Sequence, residues 1–587
     1  GNYNWNSYDE VIDNLSFNWY LNDYWTVKGQ FSVTKKYSKS EKFIDPLSSK
    51  TSVTGSKDNN LAGDLYTTNG ESLDWNSNAF LYYTRSFNKQ HNLNVSAGWE
   101  AASGTTESTN AHYRGFPSGE FHSLNYAAEV YKKPTRTENT TRRVSVLASA
   151  NYTWNDIYLV DASVRFDGSS EFGANQKWAP FFSGGLGVNI HNYDFFKSNG
   201  YINKLKLRAS YGRTGKVNFP AYAATTMYET LFDEWYITGY GAVLKALGNK
   251  DLTWEKTDKL SVGIETKTFH DRLTVDFEYY YNKTIDLVND VTLSQTSGFS
   301  TYKDNMGQVA NKGVELKLRA DIYRDRNWNV ALWGNMAHNK NEILKISDSQ
   351  KAYNERVAAY YKNEALYQET LGLSHGAEYS VPLPQYEEGA SLTSIWAVRS
   401  LGIDPTTGKE IFLNRDGSIA DKWNAAQEVV VGNTEPKCSG AFGLNLSYKN
   451  WTLFASFLYE WGGQEYNQTL VNNVENADLV NKNVDLRVLT DRWKKPGDIA
   501  QFKDIKDRGM TTLPTSRFVQ DKALVRLNSL NVSYDFNRDW IKKHLRMNLL
   551  RLEASTSDLI NWSSIKQERG LSYPRSWKVE FSLKAQF

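Results

Sequence analysis

Residue types that usually carry catalysis or hold metals are present in this 587-residue chain but are scattered. The eight histidines show no metal-ligand spacing, and we find no HExxH motif, nucleophile elbow or phosphate-binding loop. Asp404-Pro405-Thr406-Thr407-Gly408 has too few carboxylates for a calcium loop and reads as turn chemistry. The single cysteine, Cys438, excludes an internal disulfide and a cysteine-based metal cluster. The sequence therefore predicts a protein that is not an enzyme and that uses no cofactor or metal.

Aromatic side chains are the more informative set, because Tyr, Phe and Trp make up 14% of the chain. Many stand in polar segments beside Asn, Gln, Asp and Arg, a combination that suits sugar rings or peptide side chains. The residues predicted to contact a substrate are Trp235, Tyr236, Tyr240, Trp396, Trp461, Tyr466 and Trp562. Similar segments contain Tyr360, Tyr361 and Trp423. The alternative is that these rings pack loop against loop.

The elements that must position these residues are predicted to be β-strands with one apolar and one polar face. Residues 577–587 alternate strictly, with Phe581, Leu583 and Phe587 on the apolar side. Residues 145–154 and 158–167 show the same period, and the off-beat positions include Asp161 and Arg165. A tilted strand of about ten residues is the length that spans a bilayer in a barrel. We also predict that Phe581, Leu583 and Phe587 form a C-terminal barrel-assembly signal.

Connection lengths indicate the fold class. Short turns lie near residues 22, 89, 155, 270, 325 and 450, and long connections separate them. The first two long connections are expected at about residues 38–71 and from the strand ending at Gly98 to about residue 140. This asymmetry is typical of a transmembrane antiparallel β-barrel with short periplasmic turns and large outer loops. The alternation gives about seventeen strands. The sequence contains no uninterrupted apolar run of about 18 residues, the length that a transmembrane helix needs. The net charge of +2 gives no indication of a nucleic-acid partner.

Seven segments, read in order, resemble hallmarks of SusC/RagA-like TonB-dependent outer-membrane transporters. They are DGSSEFG (167–173), GNKDLTWEKT (248–257), NKGVELKL (311–318), GIDPTTGKEIF (402–412), TEPK (434–437), RWKKPGD (492–498) and SRFVQDKALVRL (516–527), followed by a terminal YPRSW…F (573–587). The resemblance implies a barrel of 22 strands, an N-terminal plug, energisation through TonB and a SusD-like lipoprotein lid. It also implies import of a glycan or a peptide, with the glycan favoured.

Nothing in the chain resembles the plug or the TonB box, so residues 1–587 are expected to be the C-terminal barrel portion of such a transporter. The expected surroundings are outer-membrane lipid, the lid on loops 343–440 and 460–520, and no nucleic acid. The number of strands supports the same expectation. About seventeen strands is an odd number, whereas a barrel with both termini in the periplasm needs an even number. The terminal strand is therefore expected not to close onto residues 11–21. The alternative functions are a passive porin and a secreted β-rich protein that binds or hydrolyses carbohydrate.

Overall fold

The computed structural model describes residues 1–587 except for a set of short segments and one longer one. These are 52–60, 198–199, 218, 220–221, 238, 293–300, 306, 347–349, 353, 356–385, 481–483, 510–511 and 567–575. The chain divides into two compact units. Unit 1 comprises Gly1–Leu186, Gly212–Lys256 and Val288–Asn305, and unit 2 comprises Gly187–Tyr211, Thr257–Leu287 and Met306–Phe587.

Antiparallel β-strands make up most of the regular structure. In chain order they are β1 (Tyr3–Tyr20), β2 (Trp25–Ile44), β3 (Asp64–Phe87), β4 (His91–Arg114), β5 (Glu129–Trp154), β6 (Tyr158–Ser169), β7 (Trp178–Asn189), β8 (Ile202–Lys216), β9 (Met227–Tyr236), β10 (Gly239–Ala246), β11 (Glu255–Thr268), β12 (Leu273–Ile285), β13 (Val288–Thr292), β14 (Thr301–Asn305), β15 (Gln308–Arg324) and β16 (Trp328–Lys345). They continue with β17 (Ser394–Ala397), β18 (Arg399–Ile403), β19 (Glu410–Leu413), β20 (Ile419–Ala420), β21 (Val429–Asn433), β22 (Cys438–Tyr448), β23 (Trp451–Tyr466), β24 (Val519–Asp535), β25 (Leu549–Thr556), β26 (Asn561–Ser563) and β27 (Val579–Gln586).

Helical segments are short. The α- and π-helical ones are Asp194–Lys197, Gln468–Leu470, Val471–Glu475, Arg487–Thr490 and Arg538–Leu545, and single 3₁₀ turns lie at Leu124–Tyr126, Ile190–Asn192, Ala425–Gln427, Ile505–Gly509 and Ser516–Phe518. The helix Arg538–Leu545 fills the connection between β24 and β25. Within the described residues, no helix combines the length and the apolar character needed to cross a membrane.

Strand pairing in unit 1 confirms that β4, β5 and β6 have two chemically different faces where they alternate. Val146 pairs with Trp99 on one side and Phe166 on the other, and Ala148 pairs with Ala97 and Val164. Directly paired side chains point to the same side of a sheet, so these residues form one apolar face. Arg165 lies on the opposite, polar face, where it forms a 2.8 Å ion pair with Glu100.

Unit 2 repeats this arrangement through β12, β15, β16 and β22 to β25. Phe581 pairs with Ala554 and Leu583 with Leu552, on the same face as Val532 and Leu453. The two-face assignment is therefore confirmed for the terminal strand as well. In the described part of the chain the strands of the membrane type are β1 to β8, β11, β12, β15, β16, β22 to β25 and β27, which makes the predicted seventeen.

The short turns are built as expected for tight hairpins. Asn155 and Asp156 both have positive φ, at +52° and +56°, and Asn88 and Lys89 have +50° and +59°. Two successive residues of this kind give a turn whose twist matches that of the flanking strands. Asn and Asp tolerate this conformation better than most residues, which is why polar dipeptides mark these turns in the sequence.

The outer halves of the first strands differ from the sequence prediction. A polar connection was expected at about residues 38–71 and another up to about residue 140, whereas β2 extends to Ile44, β3 begins at Asp64 and β5 begins at Glu129. These expectations are wrong because the ladder continues where both faces are polar. Thr, Ser, Asn and Glu follow one another there without alternation, for example at 104–110, so periodicity gives no strand signal.

The first and last strands have exposed side chains throughout, apart from the half-buried Tyr3. The structure pairs β1 with β2 over its whole length and β27 with β25. The expectation that β27 does not close onto β1 stays a prediction.

A pair of neighbouring substitutions tests the two faces. Ala162→Arg places a charge on the apolar face, where it should cost about 2–4 kcal/mol near the bilayer midplane. Ser163→Arg, one residue later, places the same charge on the polar face and should be tolerated. The measurement is the folded, heat-modifiable fraction during denaturant titration in lipid vesicles. Equal cost for both variants would show that the face assignment is false.

Candidate functional site

Aromatic side chains form a row where the strands of unit 2 meet their short turns. Trp328 packs on Tyr448 with ring centroids 4.2 Å apart, and Trp451 packs on Tyr534 at 4.8 Å. Their direct pairing across four strands places all of them on the apolar face. Amphipathic rings concentrate at the interface between membrane and water. This row therefore marks the membrane boundary on the side of the short turns.

Trp461 and Trp562, two of the predicted substrate contacts, lie at the other end of the same apolar face. Trp461 is ten residues beyond Trp451 in β23, roughly 33 Å along the strand. With a tilt of about 40° this is about 25 Å across the membrane, the height of an apolar barrel band. Trp562 pairs with Val525, which pairs with Tyr459, two residues before Trp461. Both rings therefore occupy the position of the second interfacial belt.

Trp396 and Tyr466 belong to the packed interior of the outer segments of unit 2. Trp396 is only 2% exposed. Tyr466 packs against Phe518 with ring centroids 6.0 Å apart, and burial raises the pKa of its hydroxyl. Trp423 donates its indole N–H to the carbonyl oxygen of Pro514 at 2.8 Å. In the structure these rings connect loop to loop, as the packing alternative describes.

The other predicted contacts lie in unit 1 or outside the described residues. Tyr240 stands in the β9–β10 hairpin, where its backbone pairs with that of Trp235, and its side chain is exposed. The side chains of Trp235 and Tyr236 are outside the described part of the structure, as are Tyr360 and Tyr361 altogether.

A groove of about 530 Å³ opens on the polar face of unit 2. Adjacent strands supply its lining residues, which are Ser210, Lys259, Leu260, Ser261, Glu278, Tyr280, Asn282, Asn311, Glu315 and Asn339. Planar amides, carboxylates, hydroxyls and one ammonium group dominate this set. Such groups donate to and accept from hydroxyl and amide ligands, so the groove is a candidate recognition site on unit 2.

Tyr280 crosses the groove because the residue opposite it in β15 is Gly313. A Cβ at Gly313 would lie 2.6 Å from the Tyr280 hydroxyl and 2.0 Å from the carbonyl oxygen of His338. With that space open, Tyr280 donates to Asn339 Oδ1 at 2.9 Å, and Asn339 Nδ2 donates to Asn311 Oδ1 at 3.1 Å. The hydrogen bonds fix the amide planes before any ligand arrives.

Carboxylates form the charged end of the groove. Glu278 and Glu315 are direct cross-strand partners, an arrangement of like charges that is unfavourable by itself. Arg208 offsets part of this cost, since it donates to Glu278 at 2.7 Å and to Asp276 at 2.8 Å. Within the described residues there is no group of three or more His, Cys, Asp or Glu that could hold a metal ion.

In unit 1 the segments 167–173 and 248–257 form one small core. Phe172 stacks on Trp254 with ring centroids 4.2 Å apart, and both pack with Phe219 and the fully buried Leu252. Gly173 donates its N–H to the carbonyl oxygen of Leu252 at 3.0 Å. A Cβ at Gly173 would come within 2.1 Å of the Lys250 carbonyl oxygen, so only glycine permits this close approach.

In unit 2 the segments 402–412 and 516–527 meet at a buried guanidinium. Arg517 donates to Glu475 at 2.7 Å and to Glu410 at 2.9 Å. Burial alone would lower the pKa of Arg517, but the two carboxylates raise it further than burial lowers it. The Glu475 side chain has no exposed surface, so its charge depends on Arg517 for compensation.

Segment 492–498 joins the same assembly through backbone carbonyls. Arg492 donates to the carbonyl oxygens of Val488 at 3.1 Å and Lys503 at 3.0 Å, and burial lowers its pKa. Trp493 donates its indole N–H to the Pro405 carbonyl oxygen at 2.8 Å and packs where a Cβ on Gly408 would intrude. Three segments far apart in sequence therefore form one outer-loop core. We call residues 386–433 and 467–518 of unit 2 the outer platform.

Sequence reasoning did not identify the groove residues or the ion pairs of the outer platform. Period-2 alternation places Glu278, Tyr280 and Asn282 on one face of β12, but it does not tell which strands stand beside β12. The signal that was available is Gly313, a glycine in the middle of an otherwise regular strand, because such a residue often marks the close approach of another group.

Comparison with known proteins agrees with this architecture. Residues 1–549 match the family model described as "TonB dependent receptor-like, beta-barrel". TonB-dependent receptor P39 of Formosa agariphila is 26% identical over 566 residues, which cover 88% of this chain and 53% of that protein. TonB-dependent receptor SusC of Bacteroides thetaiotaomicron is 29% identical over 255 residues, or 41% of this chain and 25% of that protein. The chain spans about half the length of the curated relatives it matches along most of its length.

Among solved structures, the RagAB peptide importer in its open-open state superposes with a TM-score of 0.82 at 21% identity, covering 100% of this chain and 62% of that one. At this identity the likeness establishes the fold alone.

Removing the buried guanidinium tests the core of the outer platform. Arg517→Ala leaves the Glu475 carboxylate buried without its cation, which should cost about 3–5 kcal/mol. The expected result is faster proteolysis and hydrogen exchange throughout 467–518 in the folded protein. Arg399→Ala, an exposed arginine in β18 of the same platform, is the matched control and should change neither rate. Unchanged protection in Arg517→Ala would show that the ion pairs do not hold the platform.

Proposed function

The chain belongs to the family of TonB-dependent receptor-like β-barrels, and from this premise we propose that it is the barrel portion of a SusC/RagA-like active importer of a nutrient oligomer. It lies in the outer membrane, as its family does, which removes the secreted-protein alternative. The observation that carries the import proposal is the hydrogen-bonding groove on the polar face of strands whose other face is an apolar membrane surface. A wall of this kind suits the passage of a polar cargo.

For the cargo we propose an oligosaccharide, with a peptide as the second candidate. Amides and carboxylates such as those of Asn282, Asn311 and Glu315 can each engage sugar hydroxyl groups. The peptide candidate is supported by the solved RagAB structures, which are described as a peptide importer. Both cargoes are rich in hydroxyl or amide groups, so the groove chemistry is compatible with either.

Energy supply and partners belong to the whole protein, of which this chain matches about half in its curated relatives. We propose that TonB drives the import through a plug segment of the same transporter, and that a SusD-like lipoprotein covers the outer side. We also propose that β1 and β27 pair with strands contributed by the rest of the barrel, which agrees with the exposure of their side chains.

The outer platform offers a surface for the proposed lid. Its exposed apolar side chains include Leu479, Val480, Val484, Leu486 and Leu489, which lie close together in sequence, and Val480 and Leu486 are 81% and 72% exposed. They lie within loop region 460–520, which is expected to contact the lid together with region 343–440. Exposed apolar patches on a structured surface are typical of protein interfaces, and the buried cluster of Val471, Val474 and Val488 beneath them holds the segment in place.

Uptake by cells tests the import proposal against the porin alternative. Cells that lack the transporter, complemented with the full-length gene, should accumulate a labelled oligosaccharide or peptide only while the proton-motive force is maintained. Collapse of that force with an uncoupler should stop accumulation. Uptake that continues by equilibration after the force is collapsed would identify a passive porin instead.

Substitutions in the exposed patch test the lid surface. Val480→Asp and Leu486→Asp should each weaken retention of the lipoprotein by about tenfold, because a buried apolar anchor at an interface commonly contributes more than 1 kcal/mol. The measurement is co-purification from detergent-solubilised outer membrane, followed by mass spectrometry. Leu545→Asp, an exposed leucine in the helix Arg538–Leu545 on the side of the short turns, is the control. Undiminished lipoprotein with both variants would place the lid elsewhere.

A further inference from the structure

Glu435 links the groove to the outer platform. It belongs to the segment between β21 and β22, and both oxygens of its carboxylate accept hydrogen bonds from β16. Asn339 Nδ2 donates to Oε1, and the backbone N–H of Asn341 donates to Oε2 at 3.1 Å. A carboxylate acceptor makes such hydrogen bonds stronger than those between neutral groups. Glu435 is thus a fixed attachment between β16 and the root of β22.

The same stretch of β16 holds the other end of the outer segment 391–434. Asn341 Oδ1 accepts from the Leu392 N–H at 2.8 Å and from the Ser391 hydroxyl at 3.2 Å. The two ends of the segment also contact each other, since Thr434 donates its N–H to the Thr393 carbonyl oxygen at 3.0 Å. Both ends are therefore anchored on two neighbouring asparagines of one strand.

Asn339 is shared between this anchor and the groove. Its amide donates to Asn311 and to Glu435, and its oxygen accepts from Tyr280. A primary amide has two N–H donors, and both are engaged. A ligand that accepts a hydrogen bond from Asn339 must therefore displace either Asn311 or Glu435.

We propose that Asn339 and Glu435 form a relay that couples occupancy of the groove to the anchoring of the outer segment 391–434. A ligand that engages Tyr280 or Asn339 loosens the contact with Glu435 and so weakens the hydrogen bonds at Leu392 and Thr434. The identity of that ligand rests on the function proposed above, whereas the coupling is a property of this chain. Glu435 is a positioning residue in this scheme, because it acts through Asn339.

Coupling between the groove and the outer segment makes two requirements that an experiment can check. A ligand shifts an equilibrium only by its differential affinity for the two states, and spatial proximity alone does not establish coupling. A perturbation at the groove end must therefore change protection at the loop end. The same perturbation must have no further effect once the Glu435 contact has already been weakened.

The first experiment measures hydrogen exchange of the full-length transporter in detergent, resolved to the amides of Asn341, Leu392 and Thr434. Glu435→Gln removes the charge and should raise their exchange rates by about tenfold, the effect of losing one charge-assisted hydrogen bond. Glu342→Gln is the matched control, because Glu342 lies in the same strand and instead faces Lys340 at 3.7 Å. It should leave these rates unchanged.

The second experiment perturbs the groove end without any ligand. Tyr280→Phe deletes the donor to Asn339 Oδ1 and should raise exchange at Leu392 and Thr434 by about threefold or more. In the Glu435→Gln background the same change should add nothing. Rates unaffected by Tyr280→Phe, or effects of the two substitutions that simply multiply, would overturn the relay. Neither readout depends on transport, so a failure of the import proposal would be seen separately in the uptake assay.

Discussion

The backbone hydrogen-bond ladder, placed between lipid on one side and water on the other, is the constraint on which the rest of the structure depends. In hydrocarbon every peptide N–H and C=O must be satisfied by the protein itself, which the long antiparallel pairings achieve. Once the ladder is formed, each side chain lies either on the face toward lipid or on the face toward water. This requirement, rather than any specific contact, places Val146 and Phe581 on the apolar face and Arg165 and Glu580 on the polar face.

This constraint explains what the sequence could predict. Alternation depends only on the two environments, so it identified β5, β6 and β27 together with their faces, and the short turns followed from the Asn and Asp residues that adopt positive φ. The alternation is lost where a strand leaves the membrane and its lipid-facing side becomes exposed to water. Above the membrane both faces of β3 and β4 are exposed to water, so the alternation disappears and the sequence gives no strand signal.

The same reasoning explains why sequence alone could not assign a role to the aromatic residues. An exposed Trp beside polar residues has the same local sequence whether it meets a sugar or a lipid headgroup. Only the register of β23 with its neighbours places Trp461 on the apolar face, and only tertiary packing buries Trp396. The groove was beyond sequence analysis for a related reason, since it requires knowing that β12, β15 and β16 are adjacent and that Gly313 lies beneath Tyr280.

Loops this large cannot be held by the ladder, and the structure shows what replaces it. Small clusters such as Leu470, Val474 and Phe518 supply the apolar packing of the outer platform. Polar groups that are buried or partly buried and have several partners hold these loops in addition. Arg517 has two carboxylates, Arg492 has several carbonyl oxygens, and Glu435 has two donors from β16. Because losing one partner leaves a buried charge unsatisfied, segments 402–412 and 516–527, which the Arg517–Glu410 ion pair joins, can change only together. That mutual dependence gives a physical reason why these short segments, separated by tens of residues, are recognisable as one set.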